Sequence, residues 1–133
     1  NGSGDVIIDG LKHPQSDGIA NQVIQTNGSG QLSFRTVGTV WESKSASFTA
    51  AAGKGYFCDT SGGAIDVTLP SGTIGDEIRF LDVSGTFDTN DLTILNGSSK
   101  IQGASSNLDV ATERAGFTLV YYNATQGWLL KDV

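Results

Sequence analysis

The chain has 133 residues, one domain's worth with room for a small appendage, and 18 of them are glycine. Fourteen acidic residues against eight basic ones give a formal charge of −6, so a phosphate backbone is repelled and nucleic acid is excluded as a partner. A single cysteine and a single histidine cannot build a Cys/His zinc site or an internal disulfide, no apolar run approaches the ~20 residues of a membrane span, and no charged-then-apolar signal peptide opens the chain.

Residues 1–38 are polar and loosely patterned. An initial Asn1 in place of Met predicts a chain cut from something longer, or processed. Asn1-Gly2-Ser3-Gly4-Asp5-Val6-Ile7-Ile8 is echoed by Asn27-Gly28-Ser29-Gly30-Gln31-Leu32-Ser33-Phe34. Each copy places an Asn-Gly turn, whose residues tolerate positive φ, before a short strand-like run. The turn cluster Pro14-Gln15-Ser16-Asp17-Gly18 lies between them, and the spacing falls within the range of repeat architectures. A unit with so few apolar residues cannot offset an ordering cost of ~1–2 kcal/mol per residue. The segment is therefore expected to be floppy alone and stable when identical strands of other chains complete its core.

Residues 39–133 hold both tryptophans and nearly all the aromatics, and read as a β-sandwich or jelly roll. Ala64-Ile65-Asp66-Val67-Thr68-Leu69 alternates, which puts Ile65, Val67 and Leu69 on one face. Glu77–Val83 and Asp91–Leu95 are two further strands. Gly116–Tyr122 carries apolar residues on both faces, predicting a central strand, and Asn123-Ala124-Thr125-Gln126-Gly127 turns it into Trp128-Leu129-Leu130 as a hairpin. No window shows the 3.6-residue apolar period of a helix.

Several patterns invite a chemical reading. Gly53-Lys54-Gly55 resembles part of a phosphate loop but lacks the upstream glycine spacing and the Ser or Thr after Lys, so a turn with a solvated Lys is expected. Asp88-Thr89-Asn90-Asp91 offers the oxygen ligands calcium uses, without the remaining features of a calcium loop, and an Asx-type turn is expected. Asp76, Glu77, Asp82, Asp88 and Asp91 could supply the paired acids of glycoside cleavage, yet nothing in their spacing makes two of them converge. His13 has no triad partners, although three copies on a threefold axis could ring a metal ion. Cys58, between Phe57 and Asp59, reads as a small buried apolar residue. Asn123-Ala124-Thr125 matches a glycosylation sequon. Trp41, Tyr121, Tyr122 and Trp128 are expected as core or interface anchors, with sugar stacking as the other reading.

The segment Ser16 to Phe34, with its Ser16-Asp17-Gly18 and Asn27-Gly28-Ser29-Gly30 turns, is similar to an element that recurs before new domains in bacteriophage tail fibres. Residues Tyr56–Gly63, Thr68-Leu69-Pro70, Gly75-Asp76-Glu77, Phe87–Thr93 and Phe117–Tyr122 resemble a C-terminal fibre domain of marine-phage type. The resemblance implies an all-β parallel homotrimer in a virion tail or baseplate appendage. It also implies an intertwined shaft segment over 1–38 and a sandwich over 39–133. The role it implies is structural and receptor-binding; from the residues themselves no catalysis, cofactor or metal is expected. Partners would be other copies, neighbouring tail proteins and a host surface polysaccharide or protein. The loops 60–63, 84–91 and 103–107 are the candidate recognition tips. A connector within the tail, a carbohydrate-binding domain and a tailspike-like enzyme are the alternatives, the last disfavoured because the chain carries no β-helical repeat array.

Overall fold

The computed structural model describes residues 4–132. They form thirteen strands and no helix, in two compact units, Asn1–Gly38 and Thr39–Val133.

The first unit holds two hairpins. β1 (Ile7–Ile8) and β2 (Leu11–Lys12) pair antiparallel around Asp9-Gly10. Both turn residues have positive φ, 50° and 80°, the backbone of the two-residue turn that matches strand twist. β3 (Gln22–Thr26) and β4 (Leu32–Thr36) form the second hairpin. Its loop is the second Asn-Gly-Ser-Gly copy: Asn27 Oδ1 accepts the Ser29 and Gln31 N–H groups at 2.8 and 3.1 Å, with Gly28 and Gly30 at positive φ. Asn1, Gly2 and Ser3 of the first copy lie outside the described residues. No described residue of this unit is buried. Val6, Ile7, Ile8, Ile19, Val23, Ile24 and Val37 are all about half exposed or more.

The second unit is sandwich-like, with two sheets about one core. Its strands are β5 (Val40–Lys44), β6 (Phe48–Thr49), β7 (Lys54–Cys58), β8 (Ile65–Thr68), β9 (Glu77–Asp82), β10 (Leu92–Leu95), β11 (Leu108–Val110), β12 (Gly116–Asn123) and β13 (Gly127–Lys131). The sheet orders are β13-β12-β9-β7-β5 and β11-β10-β8-β6. From β5 to β10 the chain changes sheet at every strand. Successive strands within each sheet are therefore parallel. Parallel neighbours need a crossover, and here the crossover is a strand of the opposite sheet. The result is a short coil of three rungs, closed by the antiparallel strands β11, β12 and β13. The rungs differ in length (Val40 pairs Lys54, while Gly55 pairs Arg79), so no period marks them in the sequence.

Alternation decides what faces inward. Ile65 and Val67 of β8, Leu92 and Ile94 of β10, and Ile78 and Phe80 of β9 are fully buried, joined by Leu119 and Trp128. Each such side chain contributes roughly 1.5–3 kcal/mol of transfer free energy. Tyr56, Phe80 and Phe117 sit opposite one another on β7, β9 and β12 and form a stacked ladder, with centroids 5.8 and 5.1 Å apart. Phe48 meets Tyr56 from the other sheet at 4.6 Å. β12 lies inside its sheet, between β13 and β9, as its two-sided apolar pattern predicts.

Candidate functional site

Three features of the second unit bear on function: a sealed edge of the sandwich, a locked loop at one end, and an aromatic outer face.

At the β5/β6 edge, Glu42 and Lys44 continue the inward row of Tyr56 and Cys58. Glu42 pairs with Lys54 and, at 3.1 Å, with Lys44. The Lys44 ammonium stands 5.3 Å from the Phe48 ring centre and 5.9 Å from that of Tyr56. Hydrogen bonds from Lys54 and Lys44 hold the Glu42 carboxyl below its usual range, and the same contact raises Lys54. The charges cover the end of the core, and inward-pointing charge on an edge strand discourages pairing with another sheet. Lys54 is thus a strand residue in an ion pair, which corrects the reading of it as a solvated turn residue.

At one end, Asp82 ends the inward row of β9 and is 6% exposed. Its Oδ1 accepts the N–H groups of Gly85 and Thr86 at 2.8 and 3.2 Å, and its Oδ2 those of Phe87 and Arg114 at 3.2 and 2.9 Å. Burial pushes this carboxyl up, and the four backbone donors outweigh it, leaving the group below its ordinary value. Asp82 is a structural clasp for the loop that follows it. Arg114 adds a bond from its guanidinium to the Val83 carbonyl at 2.9 Å. The Thr60 and Thr86 hydroxyls meet at 2.8 Å, and the Asn90 amide reaches the Thr60 carbonyl. Loop 84–91 is therefore held on several sides, with Phe87 fully buried.

The other acids stand apart in role. Glu77 pairs with Arg79 at 3.1 Å and Lys131 at 3.3 Å. Asp76 accepts the Thr73 N–H at 2.8 Å. Asp88 and Asp91 flank a turn in which Thr89 and Asn90 both donate to the Thr86 carbonyl. The Asn90 side chain reaches across to Thr60, where an Asx bond to the local backbone was expected. No group of three or more metal-type ligands occurs among the described residues. His13 follows β2 and donates its backbone N–H to Val6. Cys58 is buried, and burial together with the Asp82 charge pushes its thiol up to about 12, which makes it an inert packing residue. In the sequon, Asn123 Oδ1 accepts from Thr125 and Gln126, making the hairpin turn. In loop 60–63, Thr60 is fully buried, whereas in 103–107 the serines and Asn107 are exposed.

The outer faces of the two sheets differ. That of the four-stranded sheet is polar, with Asp66, Thr68, Thr93 and Asp109. That of the five-stranded sheet carries Trp41, Phe57 and Leu81. Trp41 lies flat over Gly55, where a Cβ would come within 2.5 Å of the indole, and stacks on Phe57 at 4.8 Å. A groove of about 270 Å³ beside Phe57 is lined by Ser43, Ser45 and Asp59. The Asp59 carboxyl is held below its usual range by hydrogen bonds, first from Ser61 and then from Ser84. The sequence reading gave the four aromatic anchors one shared expectation, core or interface. The structure divides them: Trp128 is buried and packs edge-on against Tyr121 at 5.4 Å, while Trp41 and Tyr122 reach the surface.

Compared with known proteins, the chain is similar to baseplate wedge protein gp10 of Enterobacteria phage T4, 33% identical over 89 residues. The match takes in 61% of this chain and 15% of the length of that relative. This kinship agrees with the phage-tail resemblance of the sequence. Residues 2–125 also match the family described as bacteriophage T4 gp9/10-like protein, N-terminal, nearly the whole length, and so the chain belongs to the bacteriophage T4 gp9/10-like family, whose proteins are related to the phage baseplate and tail.

Proposed function

We propose that this chain is a structural connector of the phage baseplate or tail that works as a homotrimer without catalysis. The observation that carries this reading is the first unit. It is folded into hairpins, yet none of its described residues is buried and its apolar side chains face outward. An isolated two-stranded hairpin is marginal in water, so these side chains need cover from other copies. The second unit supports the reading from the other side, since its core is complete within one chain. The acids considered for catalysis are engaged in a clasp, an ion cluster and turns, which suits a mechanical part.

Light scattering on the whole chain is the test. The expected native mass is three times 13.8 kDa, falling to one when residues 1–38 are removed while the sandwich stays folded. A monomeric full chain would overturn the proposal.

A second reading, attachment to a host-surface saccharide, is favoured by the outer aromatic face. A flat indole beside hydroxyls and a carboxylate is a surface on which sugar rings stack. Under this reading host polysaccharide shifts the emission of exposed Trp41, and Trp41→Ala removes the response with Trp128 emission unchanged. An unaltered response in that variant counts against it.

A further inference from the structure

The two edges of the sandwich are finished differently. At β5/β6, ion-paired Glu42, Lys44 and Lys54 cover the core. β13 is also covered: Gln102 N–H donates to the Trp128 carbonyl at 2.9 Å, Trp128 N–H to Lys100 at 2.8 Å, and the Gln102 side chain caps Leu130 N–H. At β11 there is no such cover. Among the described residues β11 pairs only with β10. Between it and β12 opens a cavity of about 350 Å³ whose walls include Leu108, Val110, Ala115, Phe117 and Leu130. Asp109 and Asp132 also line it, with no Lys or Arg.

We propose that β11 and this slot form a docking site for an extended segment of another protein, one in which apolar side chains alternate with Lys or Arg. The site combines the two parts of strand-addition recognition. An edge strand with free N–H and C=O groups supplies main-chain bonds, and a pocket beneath it receives every second side chain. The cavity volume suits one or two aliphatic side chains. Acids at the mouth, in a chain of net charge −6, select a basic segment and repel an acidic one. The three-residue length of β11 limits uncontrolled pairing of its edge, so binding depends on the pocket as well as the edge. The proposal deepens the connector reading, because it names the surface by which the sandwich joins a neighbour.

The experiment is an NMR titration of the full chain with the peptide acetyl-Lys-Val-Lys-Val-Lys-Val-amide and with its Glu-for-Lys counterpart. Shifts are expected at Leu108–Val110, Ala115–Phe117 and Leu130 with the basic peptide alone. Ala115→Leu, which fills the slot, should weaken binding at least tenfold. Asp132→Lys, at an exposed position that leaves the fold intact, should weaken it at least threefold. Silence of β11 at millimolar peptide overturns the proposal, as does equal binding of the acidic peptide. Shifts of the β11 amides with protein concentration alone also overturn it, since the occupant is then a second copy. The peptide results do not depend on the native mass, so the connector reading and the docking site can fail separately.

Discussion

Asp82→Ala is expected to cost about 4 kcal/mol of stability, a large share of what a domain of this size holds in reserve. The carboxylate is nearly buried and accepts four backbone N–H groups, from Gly85, Thr86, Phe87 and Arg114. Hydrogen bonds to a charged group contribute roughly 1.5–3 kcal/mol each, and an orphaned buried donor costs about 1–3 kcal/mol. The loop relaxes to hydrate some of its donors, so the total falls well short of four full penalties. Asp82→Asn should cost about half as much. Its carbonyl oxygen can keep the Gly85 and Thr86 bonds, while its NH₂ faces the Phe87 and Arg114 donors.

Denaturant midpoints at an unchanged slope measure both losses. The pH dependence follows from the same geometry. The folded carboxyl lies below its ordinary value, so its contribution is complete above the unfolded pKa of about 3.9 and is lost as pH falls through the folded value. Below about pH 4 the wild type should therefore lose stability more steeply than Asp82→Asn. A loss under ~1 kcal/mol for Asp82→Ala would show that the loop does not depend on the clasp.

Asp82 also shows what the sequence makes legible and what it hides. Strands with clean alternation, Ile65–Thr68 and Glu77–Asp82, stand out because each buries one face only. The C-terminal hairpin stands out because Asn123 to Gly127 are turn residues. β5 and β7 do not. Glu42 and Lys44 point inward at a sheet edge, where a charge can snorkel, and Gly55 replaces a side chain so that Trp41 can lie across it. β6 and β11 are too short to show any period. Asp82 falls in the inward phase of Ile78 and Phe80, and that phase was the available signal for a buried carboxylate. Asp9-Gly10 was likewise a hairpin signal in plain view. The coil of unequal rungs had none, because strand pairing across changing loop lengths leaves no repeat. The edge, slot and aromatic face are products of that coil, and they become visible only when β5 to β13 are stacked.

Gly127→Ala should be the most damaging small substitution in the sandwich. Gly127 has φ of +72°, which alone costs an alanine about 1–2 kcal/mol. Its added Cβ would also land on the Lys100 carbonyl, far inside contact distance. That carbonyl cannot yield freely, because it accepts the Trp128 N–H at 2.8 Å. Moving residues 100–103 away also breaks the bonds from Gln102 to Trp128 and from Gly103 to Gln126. Each is worth about 1 kcal/mol, and their loss uncovers the β13 edge beside the fully buried Trp128.

The expected total is above ~4 kcal/mol, a fall in Tm of roughly 12 °C or more. Gly97→Ala is the matched comparison. Gly97 also has positive φ, 55°, but nothing lies within 4 Å of its would-be Cβ, so it should lose only the backbone term of about 1–2 kcal/mol. Thermal unfolding of the two variants separates the contributions. Equal losses would mean that the close approach of Lys100 is not what makes glycine necessary at position 127, and that the 100–103 segment yields without disturbing the edge it covers.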